Sequence, residues 1–409
     1  MNFRAFWILT FIMLAALVIR TGAAFYWELN YAQGGFYYGD SDGYWSLGQR
    51  LADTAAYEYQ GRQIFRAPGY PAFLAILMSF FGGNMPILYA RLAGAAVGTL
   101  SVWLVWKIGN EIGGEKTGLI AAGIAAGYPE FVLISPMILS EGLFCLTILA
   151  QFYFWVRAWK NPTWKNCVLM GFFAGAACWI KPGWILFTPA ALGAMGLYRL
   201  YTGERSRRRA FQGAAAGAVM ILILFPWAAR NYSLTGKWIF GTLQAGPSLM
   251  DGLNPYADGS SEMSFMNPIY DKFGMNSKIE NIKQEILVND YTQRAALKWL
   301  WSHPGAAAKL AVVKFARTWS PFPNQRSFSS LSIRLVFACP YILLLIFSLY
   351  SPDCSGKRSE FWLLCILTIL YLGGLHCVFV GSLRYRLPAM WLICILAASH
   401  IAELKEKSN

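Results

Sequence analysis

Apolar runs at about 6–27, 86–106, 118–134, 143–156, 167–180, 183–198, 210–229, 331–350, 361–380 and 387–401 leave this chain few ways to fold. In hydrocarbon, every backbone N–H and C=O must find a partner inside its own segment or in a closed barrel. The runs lack the period-two alternation of barrel strands, so helices are expected. With 56% hydrophobic residues, 14% charged residues and a mean hydropathy of +0.40, the sequence predicts an all-α polytopic membrane protein of about ten transmembrane helices. Run 6–27 shows no small-residue cleavage site and reads as a retained first helix.

The formal net charge is +14. In a soluble chain that excess would suggest nucleic acid. Here it falls in short loops between apolar runs, the bias that marks a cytoplasmic face, and no nucleic-acid partner is expected. Arg157, Lys160 and Lys165 share one loop, and Arg199, Arg205, Arg207, Arg208 and Arg209 another. Lys357 and Arg358 mark a third, and Lys405 and Lys407 the tail. Together with Arg4, these fall on one side only if segment 68–83 does not cross. That segment carries Pro68 and Pro71 and ends in Gly82 and Gly83, as a juxtamembrane or re-entrant helix would. Both termini then lie inside.

Three regions follow. Residues 1–229 form an N-terminal transmembrane module with the expected chemistry in its first outer loop, 28–83. Residues 230–327 form a larger outer loop region, and 328–409 the remaining transmembrane helices. Stretch 231–276 is rich in Gly, Pro, Ser and Asn and is expected to be irregular and mobile. Stretch 277–301 has helical spacing. Stretch 305–319 suits a helix lying flat at the interface, with Lys309, Lys314 and Arg317 reaching to headgroups.

The same parity puts Asp40, Asp42, Arg66, Glu141, Lys181, region 230–327, Arg384 and Arg386 on one outer face. Ionisable groups from distant parts of the chain thus converge, as in a site assembled from several loops. Asp40 and Asp42 open a short interfacial helix with Tyr44, Leu47 and Leu51 on one face. Carboxylates there can take a proton from an attacking hydroxyl, orient an acceptor or hold a divalent cation. Taken alone, the pair also reads as a solvated helix cap. Arg66, just before a proline-fixed turn, can grip a lipid phosphate with two donors. Glu141 opens an apolar run at a depth where a merely solubilising acid is rare. Arg384 and Arg386 run against the charge bias of an outer face, which favours phosphate binding; Lys181 and Arg230 are weaker instances. The eight cysteines form no CxxC pair, and His303, His376 and His400 are scattered. No metal centre is expected from them.

Taken together, these motifs resemble the GT-C superfamily of membrane glycosyltransferases, in particular the bacterial relatives of protein O-mannosyltransferases and lipid A aminoarabinose transferases. Asp40-Ser41-Asp42-Gly43-Tyr44 is similar to the family's first-loop pattern, and Arg66-Ala67-Pro68-Gly69-Tyr70-Pro71 to its Pro-Gly-Tyr-Pro element. Ser140-Glu141 resembles its second acidic position, and Arg384-Tyr385-Arg386-Leu387-Pro388 its late Arg-Tyr-x-x-Pro element. Ala296 to Trp299, His303-Pro304 and Lys314 resemble its interfacial helix.

The resemblance implies a polyprenyl-phosphate donor carrying one sugar, transferred with inversion on the outer face of a bacterial inner membrane. It implies that Asp40 is the catalytic acid/base, assisted by Asp42 and Glu141. Arg66, Lys181, Arg384 and Arg386 would hold the donor phosphate, and Tyr44, Tyr70, Tyr385 and Arg230 would line the substrate. No soluble domain follows the last apolar run, unlike in the larger relatives, so the acceptor stays open among glycan, lipid and protein. No resident cofactor is called for beyond the divalent-cation option. Two rivals remain: a flippase of lipid-linked sugars, and an O-antigen ligase or polymerase-like enzyme.

Overall fold

The computed structural model describes residues 2–82, 84–203, 207–275, 278–325, 328–349 and 357–407. Gly83, Arg205 and Cys354 lie outside the described residues, as do the side chains of Arg207, Arg208, Lys357, Arg358 and Lys407. Regular structure among the described residues is helical, apart from one isolated bridge between Tyr59 and Arg62. The chain is a membrane protein of the expected all-α class.

Helices α1 (Phe3–Trp27), α2 (Gly39–Thr54), α3 (Gly69–Ser79) and α4 (Ile87–Gly127) come first. Next are α5 (Pro129–Ile134), α6 (Glu141–Lys160), α7 (Trp164–Ile180), α8 (Phe187–Tyr201) and α9 (Arg207–Thr235). The outer region holds α10 (Ala245–Gly252), α11 (Met266–Lys272), α12 (Ile282–Ser302) and α13 (Pro304–Thr318). Last are α14 (Leu331–Leu349), α15 (Lys357–Val378) and α16 (Leu387–Lys407).

Seven of the described helices are long and apolar enough to cross a membrane: α1, α4, α6, α9, α14, α15 and α16. Of the other apolar runs, α7 has 17 residues and α8 has 15. α4 is two arms. Gly114 (φ 83°) reverses the chain, and a Cβ on Gly109 would come within 3.0 Å of the Gly118 Cα. A continuous helix would hold residues nine apart at ~13 Å. α3 has 11 residues, ~16 Å of helix, about half the thickness of a hydrocarbon core.

α16 occupies the middle of the bundle. Residues 386–399 are buried without a break, so this helix is apolar all round. It packs on α4, α6 and α14, and its N-terminal end presents Arg384 and Arg386. Arg20 shows how a buried charge is kept in such a bundle. Pro129 has no N–H to give the carbonyl of Ala125, four residues before it. Arg20 supplies donors instead, to the carbonyls of Ala125 and Ala126, both at 3.0 Å.

Two expectations for the outer region need correction. Stretch 231–276 is not irregular throughout: α10 and α11 form within it. Met266, Ile269, Tyr270, Met275, Ile279 and Val288 close a small core beneath them. Lys314 does not reach headgroups. It is fully buried, and its Nζ donates to the carbonyls of Val378 (2.8 Å) and Cys377 (3.3 Å) at the end of α15. A helix end leaves carbonyls without intrahelical partners, and the ammonium satisfies two of them.

Candidate active site

The site begins with the first turn of α2. Asp40 and Asp42 are two residues apart, so on a helix they point to different sides. Asp42 faces outward and accepts a hydrogen bond from the Tyr59 hydroxyl at 2.7 Å. Asp40 faces inward, between two arginines. Arg66 Nη2 donates to its Oδ1 at 2.7 Å, and Arg384 Nη2 to its Oδ2 at 3.0 Å. Burial pushes the Asp40 carboxyl up, but the two guanidiniums outweigh it and hold the group down at about 2.

Glu141, at the start of α6, is buried beside them. Lys181 Nζ, past the end of α7, donates to its Oε1 at 3.0 Å, and Arg384 Nε lies 3.5 Å from the same oxygen. Arg384 therefore joins both carboxylates. Its Nη2 also donates to the Tyr385 hydroxyl at 3.1 Å. The Tyr385 ring carries Lys181 Nζ at 5.2 Å and stacks on His376 at 4.1 Å.

The loop that presents Arg66 is pinned from two directions. Glu285 of α12 accepts from the backbone N–H groups of Gln63 (2.7 Å) and Ile64 (3.2 Å). Arg230 of α9 donates to the carbonyls of Gln63 (3.1 Å) and Tyr57 (3.2 Å). The Arg66 guanidinium then lies over the rings of Phe65 (4.4 Å) and Tyr44 (5.2 Å).

A cavity of about 860 Å³ opens on this cluster, lined by Asp40, Tyr44, Arg66, Glu141, Lys181, Arg384 and Tyr385. A second, of about 900 Å³, reaches Asp40, Arg384 and Tyr385 from the other side. Two chambers thus share one carboxylate and one guanidinium.

Four residues named from sequence are placed elsewhere. Asp42 points outward, as its helical position dictates. Tyr70 is buried behind Tyr44, ring edge to ring at 5.1 Å, and does not line the chambers. Arg230 holds the loop and does not enter either chamber. Arg386 is fully buried, paired with Glu130 and stacked 4.0 Å over the Tyr341 ring. Its position after Arg384 on a tight turn sends it to the opposite side. Conversely, Arg62, Asp251 and His376 line the first chamber without having been singled out. Arg62 sits in the same polar loop as Arg66, which was the available signal. His376 lies in an apolar run, where an ionisable group is itself a pointer.

A divalent cation would need Asp40 and Glu141 as shared ligands. Arg384 stands between them and engages both, and the described residues contain no cluster of three metal-ligating side chains. This donor set does not fit a resident cation.

Residues 66–229 match the family described as dolichyl-phosphate-mannose-protein mannosyltransferase, over less than half of the chain. That stretch carries Arg66, Glu141 and Lys181, while Asp40 and Arg384 lie outside it. No curated protein matches in sequence. The fold superimposes on the archaeal oligosaccharyltransferase AglB of Archaeoglobus fulgidus, in complex with an inhibitory peptide and a dolichol-phosphate. The TM-score is 0.64 at 15% identity, covering 100% of this chain and 51% of that one. The apo form of the Archaeoglobus fulgidus oligosaccharyltransferase gives a TM-score of 0.63 at 16% identity, covering 98% and 51%.

The chain has the GT-C fold of membrane glycosyltransferases.

The expected GT-C fold and all-helical class are thereby met. This GT-C chain spans about half the length of the oligosaccharyltransferase on which it superimposes. ArnT from Cupriavidus metallidurans, bound to undecaprenyl phosphate, aligns more loosely, with a TM-score of 0.46 at 13% identity over 96% of this chain and 77% of that one. GT-C proteins as a class transfer sugars from lipid-linked donors to acceptors.

Proposed function

We propose that this chain is a glycosyltransferase moving one sugar from a polyprenyl-phosphate carrier to an acceptor, with inversion at the anomeric carbon. Charge balance supports this donor class most directly. Arg66, Lys181 and Arg384 bring three positive charges, Asp40 and Glu141 two negative ones. A sugar–phosphate–polyprenyl diester carries one negative charge and brings the sum to zero. A diphosphate-linked donor would leave a negative charge uncompensated in a partly buried site. The dolichol-phosphate named in the AglB complex is a carrier of the proposed class.

In the reaction, an acceptor hydroxyl attacks the anomeric carbon. The bond from that carbon to the phosphate oxygen breaks, its electron pair leaves with the phosphate, and Asp40 takes the hydroxyl proton. Negative charge grows on the departing carrier, where Arg66, Lys181 and Arg384 meet it. A carboxylate held at about 2 is a weak base. The donor phosphate competes for Arg66 and Arg384, loosens their hold on Asp40 and makes it more basic when the proton must be taken.

The first chamber suits the donor. Beside the cations it has an apolar wall, with Phe144, Ile180, Trp184, Leu375 and Phe379, for the polyprenyl chain. The acceptor, a glycan, lipid or protein, enters through the second chamber past Tyr38, Asp258 and Gln325. The positive-inside bias supports an inner-membrane protein with this site on the periplasmic face.

The test is a vesicle assay with the purified chain, envelope acceptors and either a monophosphate- or a diphosphate-linked sugar. Covalent transfer from the monophosphate alone is expected. Movement of unchanged donor across the bilayer would instead support a transporter.

A further inference from the structure

The end of the bundle opposite the charged cluster holds a chamber that the proposed reaction does not use. Its volume is about 790 Å³, and it lies among α6, α7, α8 and α9. Trp155 and Trp159 line it, 14 and 18 residues along α6 from Glu141, roughly 21–27 Å of helix.

The space comes from glycine. Gly193 and Gly196 of α8 face Gly213 and Gly217 of α9 across it. A Cβ added at Gly193, Gly196 or Gly217 would meet nothing within 4 Å. Most of the wall is apolar, and water does not stably fill an apolar gap. Acyl chain does, gaining the contacts an empty gap forfeits.

The polar rim gives the occupant its chemistry. Arg199, in the last turn of α8, and Arg209, in the first turn of α9, both line the chamber, in the basic stretch that parity assigns to the inner face. Arg199 Nε donates to Glu360 at 2.9 Å, while its Nη2 is buried with no partner among the described residues. Gln212, 2% exposed, donates through Nε2 to the Pro162 carbonyl at 2.6 Å, and its Oε1 is likewise buried with no partner. A missing acceptor and a missing donor thus lie in the wall of one chamber, and each is costly to leave unmade.

We propose that this chamber binds one anionic glycerophospholipid of the inner leaflet. Its acyl chain lies between α8 and α9, and its phosphate faces Arg199 and Arg209. Basic pockets between membrane helices on the inner face bind such headgroups. Phosphatidylglycerol, with an anionic headgroup, is a lipid of that class. The site is independent of the transfer reaction.

The test uses the full chain in neutral detergent, titrated separately with phosphatidylglycerol, phosphatidylcholine and inorganic phosphate. Bound lipid is counted by native mass spectrometry and Tm is recorded. Phosphatidylglycerol is expected to stay bound and raise Tm, as any ligand of the folded state does, and the other two are not. Gly196→Leu and Gly217→Phe each fill the chamber where there is room. Each should lose one bound phosphatidylglycerol per chain while keeping the lipid-free Tm at or above the wild-type value. Equal retention of phosphatidylcholine, a Tm rise with inorganic phosphate alone, or unchanged lipid counts in whichever filled variant folds would overturn the proposal.

Discussion

Arg384 lies 344 residues after Asp40 in the chain, yet its Nη2 donates to Asp40 Oδ2 at 3.0 Å. The first outer loop and the entry to the last helix are thereby joined at one carboxylate. Arg66 occupies the other oxygen of that carboxylate, so a ligand phosphate must compete with Asp40 for both guanidiniums.

Asp40→Asn should therefore bind undecaprenyl phosphate more tightly than the wild type, by about tenfold for ~1.4 kcal/mol of lost competition. Equilibrium binding of the labelled carrier measures this. Weaker binding by the variant would mean that Asp40 contacts the carrier favourably and does not compete with it.

The pH behaviour follows from the same pairs. Asp40 is held from its ordinary 3.8 down to about 2, so its ion pairs stabilise the fold above about pH 4 and are lost as the pH falls through about 2. The donor-free protein then shows no Asp40 titration at working pH. The ratio kcat/KM for donor reports that free state and kcat the donor complex. The acid limb of kcat should lie at higher pH than that of kcat/KM. Coincident limbs would show that Asp40 stays clamped.

Arg384 and Arg386 should fail differently. Arg386→Met leaves Glu130 buried and unpaired, a loss of about 3–5 kcal/mol, so the chain should accumulate poorly. Adding Glu130→Leu should restore it. Arg384→Met leaves Asp40 with Arg66 and Glu141 with Lys181, so it should fold and lose carrier binding. Expression level and Tm separate the two.

Lys314 holds the end of α15, a few residues before Arg384. Lys314→Met leaves the carbonyls of Val378 and Cys377 without this donor, at about 1–3 kcal/mol. Burial pulls the lysine from 10.5 down to about 8. Its native value is below its unfolded one, so its contribution to stability rises with pH between those limits. Tm measured from pH 7.5 to 10 should climb more in the wild type than in Lys314→Met.

Much of the fold was legible because apolar run length has one physical solution in a bilayer. The charged cluster was legible through loop parity, which brought Asp40, Arg66, Glu141, Lys181 and Arg384 to one face. Which of two neighbouring charges turns inward was not. Asp42 and Arg386 match their neighbours in type, and only the local helical turn sends them away. The burial of Lys314 depended on where α15 ends, a tertiary fact no local pattern carries. The reversal at Gly114 does have a local sign, Gly113-Gly114 between two apolar runs, and the two arms of α4 agree with it.

The most direct measurement is glycosidic bond formation in vesicles from a polyprenyl-phosphate sugar, by the wild type and by Asp40→Asn at equal amounts of folded protein. Transfer by the wild type and its loss, by about 10²–10⁴-fold, in the variant is the predicted result. Transfer at the wild-type rate by Asp40→Asn would contradict the account.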